Sequence, residues 1–251
     1  MRGSSSAWPG LDLRWSAPAG PLWEMPLGST LTEVMGDLEL LRLHQLMDSQ
    51  LPVGSFAHSW GLEAYAARGL LDDRTLEGLL RVALSRGGLR LEGAACALAH
   101  GAALDLEAMR DLAHLLDAWM PIAGPRETSL RIGGRLARLL QRIHGLAWPM
   151  EVPPHQALVA GWAGRHLGIP LRPLLLLYIQ NGLLALMAAA TRTGALSPER
   201  AQEILVGLQG RVVEVAQEVL EDPQASLWSS TPGWDLRAAE QPHLETRLFL
   251  S

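Results

Sequence analysis

The sequence LPVGSFAHSWGLE at residues 51–63 interrupts the helical apolar pattern that dominates this chain. The residues before it, from Leu40 to Met47, place leucine and methionine at helical spacing. Pro52 disfavours helical geometry in the preceding residue, and Gly54 can adopt backbone angles that are closed to other residues. We therefore predict a helix that ends before Pro52, a fixed bend and then a second helix.

Signals for helix starts and ends recur along the rest of the chain. Asp72 or Asp73, Asp105 and Ser197 are predicted N-caps, because their side-chain oxygens can accept hydrogen bonds from the first backbone amides of a helix. The predicted helices span residues 73–86, 89–103, 106–120, 126–144, 155–167, 174–193 and 198–220. No segment alternates convincingly as a half-buried strand would. The sequence therefore predicts an all-α fold, a single globular bundle of roughly eight helices.

Proline content divides the chain into three parts. Residues 1–36 contain four prolines and three tryptophans and predict an irregular extension. Residues 37–221 hold the predicted helical domain. In residues 222–251 prolines interrupt every short apolar run, which predicts a tail that docks onto a partner.

The composition excludes several classes of protein. The chain has 251 residues, 48% of them hydrophobic, and a net charge of −5, which argues against a nucleic-acid partner. All 21 basic residues are arginine, so the chain is neither a P-loop nucleotide hydrolase nor a Schiff-base enzyme, since both need a lysine. The single cysteine, Cys96, excludes an internal disulfide framework and fits a cytoplasmic protein.

One segment is long enough and apolar enough to cross a membrane. Residues 173–191 carry no charged side chain. Gln180 and Asn181 lie at the centre of this segment, where a bilayer would leave their amides without partners. We therefore favour a buried core helix and no membrane contact, with a membrane protein spanning 173–191 as an alternative.

Three other patterns could carry chemistry. Cys96 and His100 are four residues apart on a predicted helix and could supply two metal ligands, although two core residues are the favoured interpretation. Ser59 lies in a partial match to a nucleophile elbow, which leaves a stand-alone helical hydrolase as an alternative. Four arginines at positions 131, 135, 138 and 142 share one helix face and could meet an acidic partner.

Five short patterns along the chain are similar to motifs of one protein family. Residues 51–63 are similar to L-P-x-G-x-[FY]-x-x-S-x-G-L-E, and residues 127–140 are similar to E-x-R-x-x-S-x-x-x-G-x-x-L-L. Residues 155–193 follow the next helices of that family, and Gln202 falls in its Q-x-x-[IL]-L pattern. Residues 243–251 are similar to the ending H-x-x-x-x-R-L-F-x-S. Together these stretches resemble the urease accessory protein family UreF over most of the chain after residue 40.

The resemblance implies a homodimeric, all-α scaffold that is not an enzyme. Proteins of this family bind UreD, also called UreH, and recruit the GTPase UreG, which couples GTP hydrolysis to nickel insertion into apo-urease. The resemblance therefore implies that nickel and GTP are handled by partners and that this chain binds no cofactor of its own. The lack of lysine agrees with this, because the GTPase must then be another chain.

The resemblance also implies which residues contact partners. Arg247, Leu248, Phe249 and Ser251 are expected to dock into UreD, with Phe249 as the buried anchor. The other residues expected to contact partners or a second copy are Pro52, Gly54, Phe56, Glu63, Glu127, Arg131, Tyr178 and Gln202.

Overall fold

The structure is a computed structural model that describes residues 35–54 and 59–244. Within these ranges the chain forms ten α-helices and one short 3-10 turn, Gln241–His243, and it contains no strand. The helices are α1 Asp37–Leu46, α2 Leu62–Ala67, α3 Asp73–Arg86, α4 Gly88–Gly101, α5 Leu106–Trp119, α6 Ala123–His144, α7 Gln156–His166, α8 Leu171–Arg192, α9 Pro198–Glu221 and α10 Pro232–Glu240. The all-α prediction is confirmed.

Three of the predicted N-caps form as expected. The side chains of Asp72, Asp105 and Ser197 accept hydrogen bonds from backbone amides in the first turns of α3, α5 and α9, at 2.8, 3.0 and 3.2 Å. Each bond satisfies an amide that has no partner within its own helix. Because each cap acts over three residues, the sequence next to each helix is enough to specify where it begins.

Two helices begin three residues earlier than predicted. Helix α6 starts at Ala123 and α8 at Leu171, so that Pro125 and Pro173 lie inside their first turns. A proline is tolerated there because its missing N–H has no intrahelical partner in any case. Both prolines lie outside the helices predicted from the sequence. Helix α10 was not predicted, because its nine residues lie in a proline-interrupted segment.

Helix α4 runs through the centre of the bundle. It is buried over most of its length and packs against α3, α5, α7, α8 and α9. Its alanines and glycines let neighbouring helices come close, most closely α7, where a Cβ added to Gly161 would overlap the carbonyl oxygen of Cys96. A bulkier residue at position 161 would therefore push the two helices apart.

Helix α6 carries a glycine pair, Gly133 and Gly134, and another backbone segment comes close at Gly133. A Cβ at this position would overlap the carbonyl oxygen of Pro154, so helix α6 contacts the segment that leads into α7. The approaching backbone belongs to this chain and not to a partner.

Helix α8 is the predicted core helix. By length and composition it could cross a membrane, and 56% of its most apolar window is buried inside the bundle. Asn181 on this helix donates from Nδ2 to the backbone carbonyl of Met47, which satisfies an amide that a bilayer would leave without a partner. Burial against α4 and α9 accounts for its apolar composition.

Candidate functional site

The first half of the 51–63 loop is held against α6. Arg135 donates from Nη1 to the backbone carbonyl of Val53 at 3.3 Å. The next residue, Gly54, has a φ of +80°, and a Cβ there would lie 2.6 Å from the same Arg135 nitrogen. This position therefore requires glycine for its backbone angle and for the close approach of the arginine.

The second half of the loop is held against α10. Trp60 has a φ of +54°, which is uncommon for a residue other than glycine, and Gly61 follows with a φ of +95°. Trp234 on α10 donates from its indole nitrogen to the backbone carbonyl of Trp60. A Cβ on Gly61 would lie 3.0 Å from the backbone nitrogen of Ala238, so the loop and α10 are in backbone contact.

Gln241 joins the loop to the C-terminal part of the chain. Its side-chain oxygen accepts from the backbone amide of Gly61 at 3.1 Å. Its side-chain nitrogen donates to Ser59 Oγ at 2.7 Å and to Glu63 Oε2 at 3.0 Å. All three groups are buried, so one glutamine satisfies polar atoms on both sides of the bend.

A cavity of about 150 Å³ lies beside this loop. Its wall is mostly apolar and comes from the loop, from α4, α6 and α8, and from α10. The loop contributes Leu51, Val53 and Trp60 to the lining, and α8 contributes Tyr178 and Asn181. The structure thus brings the loop and Tyr178, both predicted from the sequence as partner-contacting, to one cavity.

One acidic side chain, Glu92 of α4, is buried in the cavity lining. Burial raises the pKa of Glu92 to about 8, although the hydrogen bond from the Tyr178 hydroxyl, 3.4 Å from Oε2, opposes the rise. Burial also raises the pKa of Tyr178 and of the Cys96 thiol. Glu92 Oε1 has no hydrogen-bond partner within the described part of the chain.

A Ser–His–Asp arrangement lies inside the bundle. His155, at the start of α7, places Nδ1 3.3 Å from Ser129 Oγ and Nε2 3.1 Å from Asp117 Oδ1. Ser129 and His155 are fully buried, and Ser129 Oγ also accepts from the backbone amide of Gln156 at 3.2 Å. Because Ser129 Oγ and the His155 ring are buried and bonded, this group joins α5, α6 and α7 within the bundle.

The remaining predicted partner-contacting residues differ in their exposure to solvent. Pro52 is exposed at the bend, Glu127 is exposed on α6, and Gln202 is exposed on α9. Arg131 is half-buried, whereas Glu63 is buried against Gln241 and offers no surface to a partner. Five predicted residues lie outside the described ranges: Phe56, Arg247, Leu248, Phe249 and Ser251.

The candidate metal ligands and the candidate nucleophile are buried. Cys96 is fully buried, and His100 has Nε2 2.9 Å from the carbonyl oxygen of Ile169. Burial lowers the pKa of His100 and raises that of Cys96, which disfavours the thiolate that binds metals. Ser59 Oγ is buried and accepts from Gln241, so it lacks the exposed position of a catalytic serine. Among the described residues no three histidine, cysteine or acidic side chains cluster as a metal site would.

The sequence analysis missed Gln241 and Glu92. Gln241 lies in the segment where helical periodicity ends, and nothing in its surroundings marks it as buried. Glu92 could have been identified from the sequence, because it is the only acidic residue in a helix made largely of alanine, glycine and leucine. An acidic side chain among small apolar residues indicates a buried ionisable group.

Comparison with known proteins shows the family to which this chain belongs. The family model described as UreF matches residues 70–209. The chain belongs to the UreF family. A urease accessory protein UreF from Jannaschia sp. (strain CCS1) is 31% identical over 215 residues, which cover 84% of this chain and 93% of that protein. A urease accessory protein UreF from Bacillus sp. (strain TB-90) is 29% identical over 224 residues, which cover 84% of this chain and 99% of that protein. The residues matched by the family model include three of the patterns noted in the sequence, those at residues 127–140, at residues 155–193 and at Gln202.

Proposed function

We propose that this chain is a cytoplasmic, homodimeric scaffold that bridges UreD (UreH) and the GTPase UreG during urease maturation. In this role it catalyses no reaction itself and modulates GTP hydrolysis by UreG. Nickel is the cargo of the assembly and enters apo-urease through it. Membership of the UreF family supports the role in urease maturation, and the geometry around the loop supports the bridging role.

The observation that carries the proposal is the bond network of Gln241. The UreF resemblance assigns two stretches to partner binding, residues 51–63 and residues 243–251. Gln241 hydrogen-bonds three groups of the first stretch, and the second stretch begins two residues later at His243. The described start of the second stretch, His243, therefore follows closely on the residue that holds the loop, which supports a single partner that contacts both stretches.

The composition and the burial of polar groups support a role without catalysis. The chain contains no lysine, so it lacks the residue with which a P-loop holds a nucleotide phosphate. The two serines in candidate catalytic positions, Ser59 and Ser129, are fully buried. GTP hydrolysis in the assembly therefore resides in another chain.

The test is co-expression with UreD and UreG, followed by size-exclusion chromatography with mass determination. The full chain is compared with a truncation to residues 1–242, which removes the terminal motif and keeps Gln241 with its bonds to the loop. We expect a complex with two copies of each protein for the full chain and loss of UreD for the truncation. No complex with the full chain would overturn the scaffold proposal.

A point substitution tests the terminal anchor separately. Phe249→Ala is expected to weaken binding to UreD by about 2 kcal/mol or more, as for a buried interface anchor. Leu104→Ala is the matched control, because Leu104 is 80% exposed and lies in the turn before α5. Equal binding of both variants would contradict the anchoring role while leaving the scaffold role standing.

A further inference from the structure

The described lining of the cavity contains acidic side chains and no basic ones. Among the described residues that line it, three have carboxylates, Asp48, Glu92 and Asp235, and none is an arginine or a histidine. Asp48 is exposed and Asp235 is half-buried, whereas Glu92 is buried. The cavity therefore presents two acidic groups towards solvent, which favours a cationic ligand. Glu92, whose pKa burial raises to about 8, is protonated at neutral pH, and a cation bound beside it would displace that proton.

One carboxyl oxygen of Glu92 lacks a hydrogen-bond partner among the described residues. Its Oε2 accepts from the Tyr178 hydroxyl, and its Oε1 is buried with no hydrogen-bond partner among the described residues. A buried oxygen without a donor costs free energy, which a ligand with an N–H group would recover. The other such buried atom, Arg90 Nε, lies outside the cavity lining and belongs to a guanidinium that already binds Glu218 and Ser226.

Three tryptophans, Trp60, Trp119 and Trp234, also line the cavity. Trp234 is fixed by its bond to the Trp60 carbonyl and by an edge contact with Tyr65, at 6.2 Å between ring centroids. Indole rings attract cations at their faces, and they stack well on the flat guanidinium of arginine. Aromatic rings together with carboxylates form a lining suited to a cation on an apolar stem.

We propose that this cavity binds an arginine side chain of a partner polypeptide, with the guanidinium on Glu92 and the methylene stem against the apolar wall. Arginine fits better than lysine because its planar donors can bind a carboxylate and stack on indole at once. The volume of about 150 Å³ equals that of an engineered protein cavity that holds benzene. A guanidinium with part of its methylene stem is of similar size, so the cavity has room for one arginine side chain. The proposal does not depend on which partner supplies the arginine.

The experiment compares a charged ligand with its neutral isostere. The full chain, labelled with ¹⁵N, is titrated with the peptide acetyl-Ala-Arg-Ala-amide and with the same peptide carrying citrulline, which replaces the guanidinium by a neutral urea. Binding is followed on the indole N–H signals of the nine tryptophans, assigned by Trp→Phe substitutions. A third titration with butylguanidinium asks whether the cavity selects a free cation instead.

We expect the arginine peptide to bind about tenfold more tightly than the citrulline peptide, as for a charge-assisted hydrogen bond, with shifts at Trp60, Trp119 or Trp234. Equal binding of the two peptides would overturn the proposal, because apolar filling alone would then explain it. The absence of any saturable shift at millimolar peptide would overturn it as well. Binding of butylguanidinium without binding of the arginine peptide would overturn the proposal of a polypeptide partner, because the cavity would then select a small free cation.

Glu92→Gln provides the residue-level test. This variant keeps the size of the side chain and an oxygen for the Tyr178 hydroxyl, and it is expected to lose the preference for arginine over citrulline. Glu151→Gln is the matched control, since Glu151 is exposed in the segment between α6 and α7. An unchanged preference in Glu92→Gln would exclude Glu92 as the group that binds the guanidinium.

Discussion

Replacing Glu92 by glutamine should flatten the pH dependence of the unfolding free energy between about pH 5 and about pH 8. Burial raises the pKa of Glu92 from 4.5 to about 8 in the folded chain. As the pH rises above 4.5, the unfolded chain loses this proton while the folded chain keeps it. Stability from this residue is therefore complete below pH 4.5 and falls as the pH approaches 8.

The magnitude follows from the two pKa values. Each pH unit over which only the unfolded chain has released the proton costs about 1.4 kcal/mol, so the whole interval corresponds to about 5 kcal/mol. Between pH 5 and pH 8 the expected loss is about 3 to 4 kcal/mol. Tyr178 and Cys96, which lie near Glu92, have raised pKa values and stay protonated over this range, so they add nothing to the slope.

Urea unfolding followed by far-UV circular dichroism measures the effect. The difference in unfolding free energy between Glu92→Gln and the wild type should grow by about 3 to 4 kcal/mol from pH 5 to pH 8, whatever its value at pH 5. Using this difference cancels the titration of other groups, including the histidines. Glu151→Gln, exposed in a loop, should run parallel to the wild type. If Glu92→Gln also ran parallel, Glu92 would be ionised in the folded chain and the reasoning from burial would be wrong.

Three further substitutions test the packing. Gly161→Ala should lower the unfolding free energy by about 3 kcal/mol, because the new Cβ overlaps the α4 backbone. The control Gly210→Ala, in open space on α9, should raise it by about 0.5–1 kcal/mol. Equal changes in the thermal melts of the two variants would contradict the close approach of α7 to α4. Gln241→Ala removes three buried hydrogen bonds and should cost about 1–3 kcal/mol, and faster hydrogen exchange at the Gly61 amide would report the loss locally. Burial lowers the pKa of His155, so the contribution of His155 to wild-type stability should fall as the pH falls below 6.5, and the unfolding free energy of His155→Gln relative to the wild type should rise over that range. A denaturant series on both proteins from pH 7 to pH 5 checks this expectation, and a difference that does not change with pH would refute it.

The helices could be predicted from the sequence because local signals specify them. Asp72, Asp105 and Ser197 cap helices through bonds that span three residues. Helix α10 could not be predicted in this way, because its nine residues are stabilised by contacts with α2 and α6 and not by a long apolar stripe. Its position depends on Trp234, which bonds a carbonyl 174 residues away in sequence.

The candidate site could be predicted only in part, because contacts between residues far apart in the sequence hold it together. The 51–63 motif and Tyr178 were identified, and the structure places both at one cavity. The residues that hold the loop in place, Arg135 and Gln241, act over separations of 82 and 182 residues, which no local pattern encodes. The motif also led to a prediction of partner contact for Glu63, whose side chain is buried and bonded to Gln241. A motif position can therefore support the loop from inside the bundle.

Three buried polar side chains differ in whether the fold satisfies them. Gln241 uses both ends of its amide, and His155 has a partner at each ring nitrogen, so both groups stabilise the bundle as it stands. Glu92 has one bonded oxygen and one without a partner among the described residues, and its burial weakens the fold at neutral pH. A leucine at this position would pack into the apolar wall without that cost. A ligand that completes the hydrogen bonding of Glu92 would offset this cost, which is the role we propose for the arginine in the cavity beside the 51–63 loop.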